Sequence, residues 1–249
     1  MSSEIIFDSP NHKFCWLGRD ETGLEEGVQT NQYLIVDNGR GTLLDPGGFG
    51  VFSRVVVNMS EFVDPEKVDH IFLCHQDPDV GGGLASWLDM TPARVHVSAL
   101  WIRFLLHYGV TAIDRIEGIP DGGGNLTLAS GNRIEFIPAH FLHSPGNFHV
   151  FDHASGILFT GDVGAAIYPK GETPLYVENF DDHVKHMEGF HVRYVGTSKA
   201  IEYWIGKIKH LPIKMICPQH GSIFREKEAH QFLDWISRAK VGFDANIFT

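Results

Sequence analysis

The sequence predicts an α/β protein in which two sheets pack on each other and are covered by helices. Short apolar strand patterns fall into two groups, one before about residue 100 and one from about residue 126 onward. Helical patterns flank each group, which is the arrangement that buries both faces of both sheets. No low-complexity linker, long charge run or short repeat divides the 249 residues, so residues 1–249 are expected to form a single domain.

Residues 31–45 alternate around Asn38-Gly39, a dipeptide that readily supplies the left-handed residues of a tight hairpin turn. The second of these strands runs into a glycine-rich corner, Asp45-Pro46-Gly47-Gly48. A helix is expected from Val51 to Val63. Val68 to Cys74 reads as a short strand buried on both faces, ending at His75-Gln76-Asp77-Pro78-Asp79-Val80-Gly81-Gly82-Gly83. A helix at 84–89, a strand at 94–98 and a helix at 99–108 follow. Strands at Leu126–Leu128, Ile134–Pro138, Phe148–Phe151 and Ile157–Thr160 are separated by Gly, Asn and Asp turns. The last third reads as helix at 178–194 and 198–210, a strand at Ile213–Cys217 and a final helix at Glu226–Lys240. Gly122-Gly123-Gly124 lacks the Lys-Ser/Thr of a phosphate loop and reads as a turn.

Composition removes several function classes. With 31 acidic against 20 basic residues the net charge is −11, which disfavours nucleic acid, whose binding depends on neutralising phosphates. Three scattered cysteines without a Cys-x-x-Cys pair exclude a disulfide framework and a zinc ribbon. The first ten residues carry no secretory pattern, and nowhere do eighteen apolar residues run together. A cytoplasmic protein with no membrane partner is therefore expected. The 15 histidines stand out: rich in His and Asp but poor in Cys, the chain is suited to hard or borderline metal ions.

Four apolar strands end in residues of the metal-ligand type. The strand at 68–74 delivers His75, Asp77 and Asp79; that at 134–138 leads to His143; that at 157–160 delivers Asp162; that at 213–217 delivers His220. Alternate residues of an extended segment point the same way, so His75, Asp77 and Asp79 are expected to face one pocket. Taken singly each has a plain reading, Asp162 as a helix cap and His220 as a loop histidine. Four strand ends of one chemical type weigh against that. Two carboxylates so close repel each other unless a cation joins them.

The order Asp45-Pro46-Gly47-Gly48, His75-x-Asp77-x-Asp79, His143, Gly161-Asp162 and His220-Gly221 resembles the metallo-β-lactamase fold superfamily over almost the whole chain. That resemblance implies an αββα four-layer sandwich with a two-metal site at one edge of the paired sheets. The hydrolases of the superfamily usually carry His-x-His-x-Asp-His in the first motif; here Asp77 replaces the second His and Val80 the last. A carboxylate in place of imidazole moves preference from zinc toward iron or manganese. The motif also resembles the di-iron domain of flavodiiron proteins, as do Phe190-His191-Val192-Arg193-Tyr194 and the stretch Ile213 to Ile223. Closer still are stand-alone oxygen-binding di-iron proteins, and no flavodoxin domain is expected here.

The resemblance implies two iron ions (Fe2+/Fe3+), for which zinc or manganese could substitute in a recombinant preparation. One would be held by His75, Asp77 and His143, the other by Asp79 and His220, with Asp162 bridging. Val80 leaves the second iron one protein ligand short, the open position that O2 binding requires. His140 is the best additional candidate, as a donor behind the ligands or as an alternative ligand. His107, in the apolar stretch Phe104–Tyr108, reads as a packed helix histidine ahead of one facing the site; His149, His153, His183, His186, His191, His210 and His230 read as surface or structural, and Cys74 and Cys217 as packed thiols. The function implied is a non-haem di-iron protein that binds, and in one version reduces, O2 or NO. As a sensor it would act through a signalling protein; as an oxidoreductase it would need a separate electron donor; a homodimer is compatible with either. The alternative is a metal-dependent hydrolase acting on an ester or thioester, against which Asp77 and Val80 argue.

Overall fold

The computed structural model describes residues 3–19, 28–169 and 171–245. A seven-stranded sheet carries β1 (Glu4–Ser9), β2 (His12–Arg19), β3 (Asn31–Asp37), β4 (Arg40–Leu44), β5 (Val68–Phe72), β6 (Arg94–Ser98) and β7 (Ile116–Ile119) side by side in chain order. β1 to β4 are antiparallel neighbours, whereas β4 to β7 run parallel. The second sheet holds six strands in the order β13-β12-β11-β10-β9-β8. These are β8 (Gly124–Thr127), β9 (Arg133–Pro138), β10 (Phe148–Asp152), β11 (Ile157–Gly161), β12 (Met215–Pro218) and β13 (Phe224–Arg225).

Helices α1 (Phe52–Ser60), α2 (Pro78–Gly81) and α3 (Leu84–Met90) follow strands of the first sheet; α4 (Phe180–Tyr194), α5 (Ser198–Ile208) and α6 (Glu226–Arg238) belong to the second. One core cluster joins the inner faces of the two sheets through residues such as Phe14, Tyr33, Phe72, Phe136 and Phe159 and extends to Val55, Met59 and Trp87 of α1 and α3. A second fills the space between the outer face of the six-stranded sheet and α4–α6 with Phe151, Leu158, Ile216, Met187, Trp204 and Phe232. The result is helix, sheet, sheet, helix: the αββα sandwich expected.

The hairpin at Asn38-Gly39 forms as read, with both residues at positive φ and Asp37 paired with Arg40. Three expectations need correction. Residues 4–19 form the hairpin β1–β2, which sequence reading missed because Pro10 and Asn11 interrupt a short alternation. Ile102–Tyr108 is 3-10 rather than α-helical, closed by Gly109 at positive φ. β5, although flanked by β4 and β6, is buried on both faces only in part, since Asp69 and His70 remain half-buried.

Candidate metal centre

The parallel relation of β4 to β5, and of β9, β11 and β12 to one another, brings five strand ends to one edge of the sandwich. The loop after β5 carries His75, which is buried, and Asp77, which is extended as expected (φ −68°, ψ 152°). The alternation then stops. Pro78 opens the helical turn α2, a position where its missing N–H costs nothing, so Asp79 reaches the centre from a helix rather than along a strand. The Gly-rich segments pack backbone on backbone: Gly47 N–H donates to the Val80 carbonyl and Gly83 N–H to that of Gly47. A Cβ on Gly82 would lie 2.5 Å from the Pro78 oxygen.

His143 follows β9 in a loop where Phe141 sits at a positive φ of 64°. Its ring lies nearly parallel to Tyr194 (centroids 5.4 Å apart) and Phe190 (6.0 Å), one turn apart on α4. Asp162 follows β11, and its loop is pinned by α4: Gly164 N–H donates to His191 Nε2, whose Nδ1–H donates to the Met187 carbonyl. Burial holds His191 down at about 4, so the neutral ring that this bond needs persists at ordinary pH. His220 follows β12. Asn31 of β3 donates to the Pro218 and Gly221 carbonyls and fixes the loop from the other sheet. The Nδ1–H of His220 donates to the Gln29 carbonyl, which turns Nε2 toward the carboxylates.

All six residues meet. Asp79 Oδ2 lies 3.4 Å from His220 Nε2, and His220 Nε2 lies 3.3 Å from Asp162 Oδ1. The other Asp162 oxygen is 3.3 Å from His143 Nδ1, while His143 Nε2 is 3.0 Å from Asp77 Oδ2 and His75 Nε2 is 3.5 Å from that same oxygen. Asp162 thus presents one oxygen to each half of the group, which is the disposition of a bridging carboxylate. Ligand atoms of His75, His143 and Asp162 lie within 4.8 Å of one another. Among the described residues, His75 Nε2, His143 Nδ1 and Asp162 Oδ1 are buried without a hydrogen-bond partner, a costly state that a shared cation relieves. Three imidazoles, three carboxylates and no thiol form a donor set suited to a pair of hard or borderline divalent ions.

The electrostatics agree. Burial disfavours charge on His220, but Asp162 and Asp79 outweigh it and push the ring up to about 9. Burial likewise opposes ionisation of Asp162, yet His220, His75 and His143 hold it well below the ordinary carboxylate range. Asp77 is held low against its own partial burial by His143 and His75. The centre is built to have positive charge among its carboxylates.

His140 takes another course: its Nε2 donates to the Asp121 carbonyl and its ring meets the edge of Phe148. Val80 is fully buried in the core that joins the sheets. Sequence reading also missed contributors. Asp45, quoted only as part of a turn, is completely buried and accepts hydrogen bonds from the backbone and thiol of Cys74; burial pushes it up to about 7. His149, His183 and His191 are buried, so of the two plain readings given them the structural one applies.

A four-layer sandwich with histidine and aspartate side chains gathered at its strand ends defines a metallo-β-lactamase-like domain. The family model described as "ODP family beta lactamase" matches residues 28–221, and the chain belongs to that family. A solved structure of the peroxy di-iron species of a chemotaxis sensor ODP is 45% identical, with a TM-score of 0.88, covering 98% of this chain and 97% of that one. A flavo di-iron protein from Thermotoga maritima is 25% identical with a TM-score of 0.78, covering 94% of this chain and 60% of that one. The putative diflavin flavoprotein A 1 of Nostoc sp. is 26% identical over 223 residues, which are 88% of this chain and 37% of the relative. The chain spans about a quarter to a half of the length of the curated relatives it matches. Among the described residues no helix is long and apolar enough to cross a membrane.

Proposed function

We propose that the chain is a non-haem di-iron protein that binds O2 or NO, with His75, Asp77 and His143 holding one iron, Asp79 and His220 the other, and Asp162 joining them. The observation that carries this reading is the unbroken run of imidazole–carboxylate contacts from Asp79 to His75, with its three buried, unpartnered ligand atoms. The relatives support iron over zinc, being a peroxy di-iron sensor and a flavo di-iron protein by name. Two bound irons would supply the electrons and the coordination sites for a diatomic ligand.

The chain's own residues hold and orient. The Gln29 carbonyl fixes the His220 tautomer, and the rings of Tyr194 and Phe190 cover His143 and keep water from that side. Val80, buried in the core, stands in the sequence where related sites carry a ligand and offers no donor to the Asp79/His220 side. His140, bonded to Asp121, plays no coordinating part. Acting as an oxygen sensor through a signalling protein in the cytoplasm, or as an oxidase fed by a separate electron donor, are two uses of one site. The hydrolase alternative is disfavoured by Asp77 and Val80, which stand where the hydrolytic pair uses histidines. Anaerobic loading with Fe2+, metal analysis, and visible absorption on admission of O2 test the reading. Two irons per chain and a new absorption band are expected; two zinc ions with no iron uptake would overturn it.

A further inference from the structure

We propose that Cys74 is a positioning residue of the metal centre: its thiol links His75 to the buried carboxylate of Asp45 and so keeps the outer nitrogen of His75, Nε2, free for a metal. The proposal rests on the ligand role of His75 given above. Cys74 is wholly buried; its sulfur lies 2.6 Å from Asp45 Oδ2 and 2.8 Å from His75 Nδ1, while its backbone N–H donates to Asp45 Oδ1 at 2.8 Å.

The direction of this chain of bonds follows from donor and acceptor inventory. Above the value of about 7 to which burial raises it, Asp45 is ionised and can only accept, so the S–H points at it. The sulfur then presents lone pairs to His75, whose Nδ1 must carry the proton. That leaves Nε2 with its lone pair, and Nε2 is the atom that lies buried and unpartnered at the centre. His220 obtains the same tautomer from a backbone carbonyl, which can only accept. A thiol is different, because it can also donate. Without Asp45 to take its proton, the S–H is free to turn toward Nδ1 and drive the proton to Nε2, where it blocks the metal. The carboxylate is thus needed to make a thiol behave as a carbonyl does.

The space is fitted to sulfur as well. Gly161, at a positive φ of 51° and next to Asp162, would place a Cβ 2.6 Å from the Cys74 sulfur. The thiol therefore touches the end of β4, the loop of His75 and the residue preceding Asp162.

The test reads the tautomer directly, in metal-free protein with 15N-labelled histidine, by two-bond 15N–1H correlation, with His75→Gln identifying the signal. The pH series is carried to the neutral ring of His75, whose burial opposes charge but which the nearby carboxylates raise above its ordinary value. Wild type and Cys74→Ser should show His75 protonated at Nδ1. Cys74→Ala and Asp45→Asn should show mixed or Nε2 protonation. Co2+ titration, followed by visible absorption, should give at least roughly tenfold weaker binding in Cys74→Ala, restored by Cys74→Ser, as for other groups that orient metal ligands. An unchanged tautomer and unchanged Co2+ affinity in Cys74→Ala would overturn the proposal. If that variant fails to fold, Asp45→Asn decides, since its amide donates where the carboxylate accepts; a wild-type His75 signal there is equally fatal. Neither readout uses iron or O2. Failure of the di-iron reading therefore appears separately, as Co2+ affinity indifferent to His75→Gln.

Discussion

Two buried groups of imidazole and carboxylate sit at opposite ends of the same sandwich, and they differ in how completely they satisfy themselves. At the end away from the strand termini of the metal centre, His12 at the start of β2 joins Asp37 at the end of β3 (2.8 Å) to Asp152 at the end of β10 (2.7 Å). Asp37 also accepts from the backbone and hydroxyl of Ser130 and from Asn132, and Asp152 from Ser155 and the Ala154 N–H. Every polar atom of that trio is engaged. At the other end three ligand atoms are left open. The same two residue types therefore make a structural tie where the network closes and a coordination site where it does not.

The comparison can be broken at each end. The largest expected change in stability is from Asp152→Ala, which leaves His12 buried against a single carboxylate; a loss of about 3–5 kcal/mol is expected by chemical denaturation, with metal content still two per chain. Asp162→Ala should do the reverse. Metal analysis should fall from two ions toward none, because the shared oxygen pair is gone. The gap in melting temperature between loaded and metal-free protein, which reflects binding to the native state alone, should close. Two ions retained in Asp162→Ala would remove the bridge from the scheme.

A pH series sharpens the contrast. The His220 ring is raised from an ordinary 6.5 to about 9 in the folded chain. Its contribution to metal-free stability is therefore full below pH 6.5 and lost as pH rises through 9. His12 is raised as well, with burial opposing Asp152 and Asp37, and contributes in the same sense. Bound metal needs a neutral His220, so metal affinity should climb over the window in which metal-free stability falls. In His12→Gln the fall should shrink but persist; a metal-free protein with no loss of melting temperature between pH 6.5 and 9 would contradict the assignment.

Smaller effects are expected from residues outside the six. Val80→His should weaken azide binding to the oxidised iron-loaded protein, read as a reduced charge-transfer band. Because Val80 is fully buried, the larger ring should also cost about 1–3 kcal/mol of stability. His140→Ala should change neither azide affinity nor metal content; a lost ion there would return His140 to the ligand set.

That the six candidate residues would lie together was legible because each follows an apolar strand, where pattern and punctuation are strongest. Asp79 joins the group by a different route from the expected alternation: it faces the centre from a helical turn that Pro78 starts, and an Asp-Pro pair is a helix-start signal as much as a stiff loop. The partners of the ligands were not legible. Cys74 meets Asp45 across 29 positions and His12 meets Asp152 across 140, and such meetings arise from sheet pairing, which no local period encodes. The role of His191 was similarly hidden, although Phe190 and Tyr194 on either side of it gave the spacing of a helix turned toward His143.

His75, Asp77 and Asp79 come from the seven-stranded sheet and its loops, His143, Asp162 and His220 from the six-stranded one. Any cation seated among them would add to the hydrogen bonds that already join the two halves at this edge, among them those of Asn31 to Pro218 and Gly221, Tyr33 to Pro218 and the Phe148 N–H to Cys74. The His12 trio fastens the same halves at the far edge. The molecule is arranged like a book, with a permanent spine of protein atoms and a lock on the fore-edge whose key is an ion. An ion held there would tie at the fore-edge what the His12 trio ties at the spine.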